Sequence, residues 1–277
     1  MNSPNRRTKA PANELGVLLR HWRDLRGRSQ LDLSLDAGVS QRHISFMESG
    51  RSAPGRQTLL DVAQALDIPL RDRNTLLLAA GFAPIYAEGV WNAPEMQSVT
   101  TALERILRQH EPFPAMVMDR YWNVLMTNQA TPHFFNCFID MAARKTPRNM
   151  LHLMFDPEAM RPFIANWEDV ARALFQRVYR ESVGRVIDER TRELVAALLA
   201  YPDVKTDWQT PIALSVMPVI PIGFVKDDKL LSYFSMVTTV GTPQTVAAQE
   251  LRIECMFPAD DATEASHLEM VGVAPTS

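Results

Sequence analysis

Residues 29–70 have the sequence SQLDLSLDAGVSQRHISFMESGRSAPGRQTLLDVAQALDIPL. Apolar residues recur through this stretch at helical spacing, with no strand-like alternation. Ser29 and Ser40 each precede a periodic segment, as N-cap residues do. Gly38 and Gly50 follow those segments, where helices commonly end in a left-handed residue. The stretch therefore predicts two short helices joined by the tight turn AGVS.

The same periodicity continues on both sides of this stretch. It predicts five helices, at about residues 14–25, 30–37, 41–49, 57–66 and 71–80. Short helices separated by brief turns indicate an all-α domain, which we place at residues 13–82, after a disordered basic segment at 1–12. A Pro/Gly-rich linker is expected at 83–94.

The charge of the chain is divided unevenly. Residues 1–86 hold 12 Lys+Arg and 8 Asp+Glu, a net charge of +4, and 11 of these cations are arginines. Residues 87–277 hold 17 Lys+Arg and 24 Asp+Glu, a net charge of −7. Because arginine forms bidentate contacts with phosphate, the basic part predicts a polyanionic partner. The alternative is an arginine-rich face that is only solvated.

Two short helices joined by a tight turn, the second rich in polar side chains, are the arrangement of a helix-turn-helix DNA reader. In the third predicted helix, Ile44 and Met47 are spaced to face the core. The residues left on its outer face are Gln41, Arg42, Ser45 and Phe46. Arginine can bond guanine, glutamine can bond adenine, and an aromatic edge can pack on a thymine methyl.

Residues 29–70 resemble the Xre-type, phage-repressor helix-turn-helix domain. The resemblance implies that Gln30, which opens helix two, bonds a DNA phosphate. It implies that Gln41 and Arg42 enter the major groove. Arg51, just after the third helix, is similar to the family's loop cation that contacts the DNA backbone.

The resemblance also implies an ion pair between Arg23 and Glu48, to which we give a structural role. Two residues of helix three have open roles. His43 is either a phosphate contact or a helix-packing or solvated side chain. Phe46 is either a thymine-methyl contact or packs against a partner subunit or the second domain. For the whole domain, a protein-interaction module with the same fold is the alternative.

Residues 95–262 mix helical and strand patterns. An amphipathic helix at 96–110 precedes a hairpin at 114–128. Helical segments follow at 129–142, 149–155, 160–181 and 189–201. Strands are predicted at 213–217, 221–225, 229–240 and 245–257. This order predicts an α+β domain, in which helices pack an antiparallel sheet, followed by a tail at 263–277.

Residues 113–135 have the sequence FPAMVMDRYWNVLMTNQATPHFF, and residues 149–181 have the sequence NMLHLMFDPEAMRPFIANWEDVARALFQRVYRE. These stretches resemble the ligand-binding domain of MmyB-like transcription regulators. The resemblance implies a PAS-like fold. It also implies a pocket for a small apolar or acyl-bearing effector, such as a fatty acid.

Fourteen methionines and 12 phenylalanines suit an adaptable apolar cavity. The candidate pocket residues are Met116, Met118, Trp122, Phe134, Phe135, Phe138, Met154, Phe155, Phe224, Tyr233 and Phe234. At helical spacing, such residues are more often plain core, which is the alternative for each of them. Arg120, His133 and Trp122 could meet a carboxylate or another polar head, and the alternative for Arg120 is a solvated side chain.

Patterns for other chemistry are weak. His133 and Cys137 stand four apart, but a zinc site takes three or four ligands, so we expect no metal. Glu250 and Glu254 fall on one face of a predicted strand, which we expect to be solvated. No nucleotide-binding, serine-hydrolase or metalloprotease motif occurs, so we expect no enzyme and no cofactor.

Composition and cysteine usage complete the prediction. With 46% apolar residues, 22% charged residues and only two cysteines, the chain suits a reducing cytoplasm, and no apolar run approaches the ~20 residues of a membrane helix. We expect a ligand-responsive transcription regulator that binds double-stranded operator DNA as a homodimer, since two reading heads double the contacts of one. The alternative is a DNA-bound scaffold whose second domain recruits a protein.

Overall fold

The computed structural model describes residues 14–144, 148–183, 188–209, 219 and 221–272. The described chain folds as two compact units. Unit 1 contains the described residues up to Gly89 together with Gln244–Gln249, and unit 2 contains the other described residues. The basic segment predicted at 1–12 and the strand predicted at 213–217 lie outside the described residues.

Unit 1 is built on five helices, which confirms the predicted all-α class. They are α1 (Glu14–Leu25), α2 (Gln30–Ala37), α3 (Gln41–Glu48), α4 (Arg56–Ala65) and α5 (Leu70–Ala79). Their apolar faces meet in one core, whose members include Leu19, Trp22, Leu33, Ile44, Met47, Leu59 and Leu77. Burial of these faces against one another stabilises helices that are too short to be stable alone.

Local signals fix the turn between α2 and α3. Ser29 Oγ accepts from Asp32 N at 3.1 Å, and Asp32 Oδ2 accepts from Ser29 N at 3.0 Å, which closes a capping box. Ser40 Oγ caps α3 by accepting from His43 N. Gly38 has φ +64°, a left-handed conformation that is strained for a residue with a side chain. α2 therefore ends, and α3 begins, at the turn that the sequence predicts.

The predicted linker is folded against unit 1 over part of its length. Asn74 of α5 donates from Nδ2 to Tyr86 O at 2.7 Å, and its Oδ1 accepts from the backbone N–H groups of Ile85 and Tyr86. Residues up to Gly89 group with unit 1. The segment 83–94 is thus divided between the two units, and its first part is not a free linker.

Unit 2 contains a five-stranded antiparallel sheet with the strand order β2-β1-β5-β4-β3. The strands are β1 (Ala115–Met118), β2 (Val124–Thr127), β3 (Ile222–Lys226), β4 (Lys229–Thr238) and β5 (Arg252–Pro258). The helices of this unit include α6 (Gln97–Gln109), α7 (Ala130–Asn136), α8 (Met150–Phe155), α9 (Trp167–Val183) and α10 (Glu189–Leu199). The predicted hairpin is β1–β2, and the α+β class is confirmed.

The strand predicted at 245–257 begins later than expected. Val246–Glu250 form a short helix, α11, and β5 begins only at Arg252. Thr245 Oγ1 accepts from Ala248 N at 3.2 Å and so supports the first turn of this helix. A short apolar run fits either a strand or a buried helix, and periodicity alone does not separate the two.

A helix, α12 (Asp261–Val271), occupies much of the segment predicted as a tail at 263–277. Asp260 caps it by accepting from Thr263 N at 2.7 Å. His267 of this helix is fully buried, so α12 is part of the core of unit 2. Its capping residue was the sequence signal for a helix at this position.

One face of the sheet carries the core of unit 2. Met116 and Met118 of β1 belong to this core and lie opposite Glu254 and Arg252 of β5. Directly paired residues project to the same face, so Arg252 and Glu254 also lie on the core side, each 9% exposed. The expectation of a solvated Glu250 and Glu254 pair was wrong, because Glu250 ends a helix and Glu254 is buried. Burial raises the pKa of the Glu254 carboxyl.

Candidate DNA-recognition surface and ligand cavity

The outer face of α3 is where the sequence predicts base contacts. Ile44 and Met47 are each 1% exposed and hold the helix on the core. Gln41 and Arg42 are exposed at its N-terminal end. The half-buried residues of this helix are His43, Ser45 and Phe46. The first turn of α3 is therefore open to a ligand, and the three half-buried residues are partly accessible.

Two arginines lie against the ring of Phe46. The Arg42 guanidinium is 5.1 Å from the ring centroid, and the Arg51 guanidinium is 5.9 Å from it. Both distances are within the range of cation–π attraction. The fold thus brings together Arg42, Phe46 and Arg51, each of which was predicted to have its own contact with DNA.

Glu48 lies at the centre of a network behind α3. Arg23 donates to both carboxylate oxygens, from Nε at 2.6 Å and from Nη2 at 3.2 Å. Gln30 Nε2 donates to Glu48 Oε2 at 2.9 Å, and Arg20 Nε lies 3.5 Å from the same oxygen. Glu48 is only 2% exposed, so the carboxylate that joins α1, α2 and α3 is shielded from water.

The network sets the protonation state of Glu48. Burial alone would raise the pKa of this carboxyl, but the hydrogen bonds from Arg23 and Gln30 and the nearby guanidinium charges hold the pKa below its ordinary value. Glu48 is therefore ionised at neutral pH. Gln30 uses one amide N–H for Glu48, and a carboxamide has two such donors.

Most predicted pocket residues are packed in the core of unit 2. The nine buried ones are Met116, Met118, Trp122, Phe134, Phe135, Met154, Phe155, Phe224 and Tyr233. Phe138 and Phe234 are half-buried, and the Phe234 ring stacks on Phe257. Of the whole set, only Phe135 lines the cavity that the described residues form beside α7 and α8. The other predicted residues do not line this cavity, because most of these large apolar side chains fill the space between the sheet and the helices.

The polar residues predicted to meet a ligand have other positions. Arg120 is neither solvated nor free, because it pairs with Asp188 at 2.9 Å and with Glu250 at 3.1 Å and its side chain is 7% exposed. His133 is exposed and does not line the cavity. Trp122 is buried, with the guanidinium of Arg252 5.6 Å from its ring centroid.

A cavity of about 220 Å³ opens beside β2, α7 and α8. Its apolar lining consists of Val124, Pro132, Phe135, Met141, Met150 and Leu153. Its polar lining consists of Thr127, Thr131, Arg144, Arg148, Asn149 and His152. Apolar walls with a small number of polar groups are typical of small-molecule sites.

The charged lining of the cavity is basic. Arg144 Nη2 donates to Asp156 Oδ2 at 2.6 Å, while the side chain of Arg148 is exposed. The backbone of Arg148 is held by Val124 N, which donates to Arg148 O at 2.8 Å. Burial lowers the pKa of His152, whose Nδ1 lies 2.9 Å from Tyr201 Oη. The cavity therefore carries positive charge from its arginines, not from its histidine, at neutral pH.

Sequence reasoning missed Arg144, Arg148 and His152. A signal was present, since both arginines belong to a short basic run, ARKTPRN, directly before the helical segment that contains His152. Nothing in the periodicity of that run predicts that Arg144 and Arg148 contact the cavity beside α7. The contact follows from tertiary packing alone.

The described ranges contain little that indicates metal binding or a membrane span. No group of three His, Cys, Asp or Glu side chains that could hold a metal ion occurs there. Cys137 Sγ donates to the backbone carbonyl of His133 at 3.2 Å, which is a local helical contact. No helix in this part of the chain is long and apolar enough to cross a membrane.

Comparison with known proteins identifies both units. The family described as MmyB-like transcription regulator ligand binding domain matches residues 99–268, and a helix-turn-helix family matches residues 19–72. An uncharacterized HTH-type transcriptional regulator from Sinorhizobium fredii, y4dL, is 44% identical over 52 residues, which are 19% of this chain and 26% of that relative. The chain thus spans about a quarter of that relative's length. Since the first family match covers more than half of the chain, the chain belongs to the MmyB-like transcription regulators, with a helix-turn-helix DNA-binding domain and a ligand-binding domain.

Proposed function

We propose that this transcription regulator binds operator DNA with an affinity that depends on a small organic anion held in the cavity of unit 2. The observation that carries the proposal is the composition of that cavity, which combines an apolar wall with two arginines. A compound with an apolar body and a carboxylate matches both parts. Acyl compounds belong to this class.

Both arginines have N–H donors that are available to bind such a head group. A guanidinium has five N–H donors, and Asp156 accepts from one of the two on Arg144 Nη2. Arg148 is exposed, so its guanidinium can turn toward a carboxylate without breaking a buried contact. Hydrogen bonds between a guanidinium and a carboxylate are charge-assisted and stronger than neutral ones. They would orient the ligand with its apolar end toward Phe135 and Leu153.

The volume of the cavity limits the size of the ligand. Its 220 Å³ is below the roughly 300–1,000 Å³ of sites that hold drug-sized ligands, so the cavity suits a small compound. A short acyl chain or a single aromatic ring with a carboxylate fits this volume. A longer chain requires side chains such as Phe135, Met141 and Met150 to move.

On the DNA side, we propose that α3 lies in the major groove of each half-site of a palindromic operator, bound by a homodimer. Gln41 and Arg42 are exposed at the start of this helix and would contact bases. Gln30, with its second amide N–H, and Arg51 would contact phosphates. His43 and Ser45, half-buried beside them, would contribute at the edge of the interface. The ligand would change operator affinity by binding one conformational state more tightly than another.

The experiment begins with selection of an operator from random duplex DNA by the full-length protein. Its affinity is then measured with and without straight-chain carboxylates of increasing length and with benzoate. We expect at least one compound to change the affinity by about fivefold or more, the lower range of allosteric coupling. Arg148→Gln should weaken this response. Arg192→Gln, at an exposed arginine of α10 paired with Glu189, serves as the matched control and should leave it intact.

Each half of the proposal can fail separately. Equal operator affinity with every compound, together with no bound compound in native mass spectrometry, would overturn the ligand half. Retention of a protein partner under those conditions would favour the recruiting scaffold. Failure to enrich any DNA sequence would overturn the operator half.

A further inference from the structure

Two arginines from different segments lie close to the ring of Phe46. Arg42 precedes it by four residues on α3, so the two side chains are neighbours on one helix face. Arg51 comes from the segment that follows α3. The two guanidinium groups lie 5.1 Å and 5.9 Å from the ring centroid.

The backbone of Phe46 holds the same segment. Phe46 O accepts from Arg51 N at 2.8 Å and from Ser52 N at 3.2 Å. Ser49 Oγ donates to the same carbonyl at 3.2 Å. Arg51 therefore contacts Phe46 in two ways, through a backbone hydrogen bond and through its guanidinium. These contacts fix Arg51 relative to α3.

The two arginines differ from others in unit 1 in their partners. Arg23 pairs with Glu48, Arg28 pairs with Asp36, and Arg71 pairs with Glu88. Within the part of the chain that the structure describes, no carboxylate pairs with Arg42 or Arg51. Their N–H donors remain available for the acceptors of DNA, which are phosphate oxygens and the guanine O6 and N7 atoms.

We infer that Phe46 is a positioning residue, whose ring holds Arg42 and Arg51 as a preorganised pair for DNA, one for a base and the other for a phosphate. The inference rests on the proposed DNA binding and adds a role that requires no contact between Phe46 and the DNA. The two guanidinium charges near one ring repel each other, and a bound polyanion would offset this repulsion. Long arginine side chains lose much rotamer freedom on binding, and prior orientation by the ring reduces that loss.

The test uses the full-length protein and the operator selected from random DNA. Phe46→Leu keeps an apolar side chain and removes the ring, whereas Phe46→Tyr keeps the ring. We expect Phe46→Leu to lower operator affinity by about tenfold and to reduce the slope of log affinity against log salt by up to about one, as expected when a phosphate contact is weakened. Phe46→Tyr should retain the affinity and the slope of the natural protein.

Two controls separate positioning from packing. Phe82→Leu removes a ring that packs half-buried against the core of unit 1, and it should leave both the affinity and the salt slope unchanged. In a protein that already carries Arg42→Ala and Arg51→Ala, Phe46→Leu should cause no further loss, because a ring that acts through these arginines has nothing left to position. Circular dichroism checks that each variant is folded.

The outcomes are distinct. If the natural protein binds the operator and Phe46→Leu binds equally well, the inference is wrong and the proposed function stands. If Phe46→Tyr is as weak as Phe46→Leu, or if Phe46→Leu still weakens binding in the double-arginine variant, the ring acts by another route and the inference is also wrong. If the natural protein enriches no DNA sequence, the proposed function fails and the inference falls with it.

Discussion

Glu48→Gln tests how much the buried network contributes to the stability of unit 1. The substitution removes the charge that Arg23 contacts through two hydrogen bonds. It also replaces one carboxylate oxygen by an NH₂ group. At the Oε2 position the new NH₂ group would face the donors of Gln30, Arg20 and Arg23 Nη2, and at the Oε1 position it would face Arg23 Nε.

The expected loss of stability depends on the partners that Arg23 keeps in the variant. Removing one partner of a fully buried ion pair costs about 3–5 kcal/mol, because the other charge is left unsatisfied. The Arg23 side chain is 13% exposed and retains Arg28 O at 2.9 Å and Asp24 Oδ1 at 2.7 Å. We therefore expect a smaller loss of about 2–3 kcal/mol in the free energy of unfolding. For a domain of this size, that loss lowers Tm by roughly 10–20 °C.

The assay is thermal and urea unfolding of the full-length protein, with hydrogen exchange in α1–α3 to report on unit 1. Asp36→Asn is the matched control, since Asp36 pairs with Arg28 at 3.2 Å on the surface of the same unit. An exposed pair contributes about 0–1 kcal/mol. A loss for Glu48→Gln no larger than that for Asp36→Asn would refute the reasoning.

The pH dependence provides a second reading of the same variant. The pKa of Glu48 in the folded protein is below its ordinary value of 4.5, so the unfolded state binds more protons just below pH 4.5. The stabilisation is present above that pH and is lost as pH falls through the folded pKa. Glu48→Gln should therefore remove part of the acid sensitivity of unit 1.

Two further predictions concern a base contact and a buried histidine. Arg42→Ala should leave the fold intact, since Arg42 is exposed, and should cost about 1–3 kcal/mol of base discrimination in competition binding; an unchanged sequence preference would contradict the assignment. Burial lowers the pKa of His267 from 6.5, and the neutral ring accepts from Tyr233 Oη at 2.7 Å and donates to Pro112 O at 2.9 Å. The unfolded state therefore binds a proton more readily below pH 6.5, so stability should fall as pH decreases from that value, and His267→Gln should reduce the difference between urea midpoints at pH 7.5 and 5.5.

The helix-turn-helix region could be predicted in detail because its signals are local. Ser29 and Ser40 cap helices, and Gly38 occupies a left-handed position. Each of these roles depends on residues within one helical turn. Consistent local signals and a matching apolar pattern leave few alternative structures for such a stretch.

The error at 245–257 has the opposite origin. The segment Val246–Glu250 is helical, although its apolar composition is also typical of a strand. Glu254 was expected in solvent because charged residues are usually exposed, yet its pairing with Met116 places it on the core face. Strand register decided its burial, and register depends on partners distant in sequence.

The cavity could not be derived from composition for a related reason. Phe134 and Phe135 are adjacent and both buried, but only Phe135 lines the cavity. Phe135 lines the cavity together with residues of α8, whereas Phe134 packs against Phe224 and Tyr233 of β3 and β4. Sequence spacing separates a core face from a solvent face, but it does not separate a filled part of the core from an empty one.

The position of the cavity bears on how ligand could be sensed. Its wall contains Phe135, and the neighbouring Phe134 ring contacts Tyr233 and Phe224 at centroid distances of 5.4 Å and 5.2 Å. Protein cores are close-packed, so a ligand that pushes Phe135 must also move side chains of this aromatic cluster, whereas a ligand that only fills the existing space need not. A short carboxylate would therefore stabilise unit 2 with little change in the sheet, and a longer one would stabilise a state with a rearranged core. Only the second kind of ligand has a direct physical route from the cavity to β3 and β4, which carry Phe224 and Tyr233.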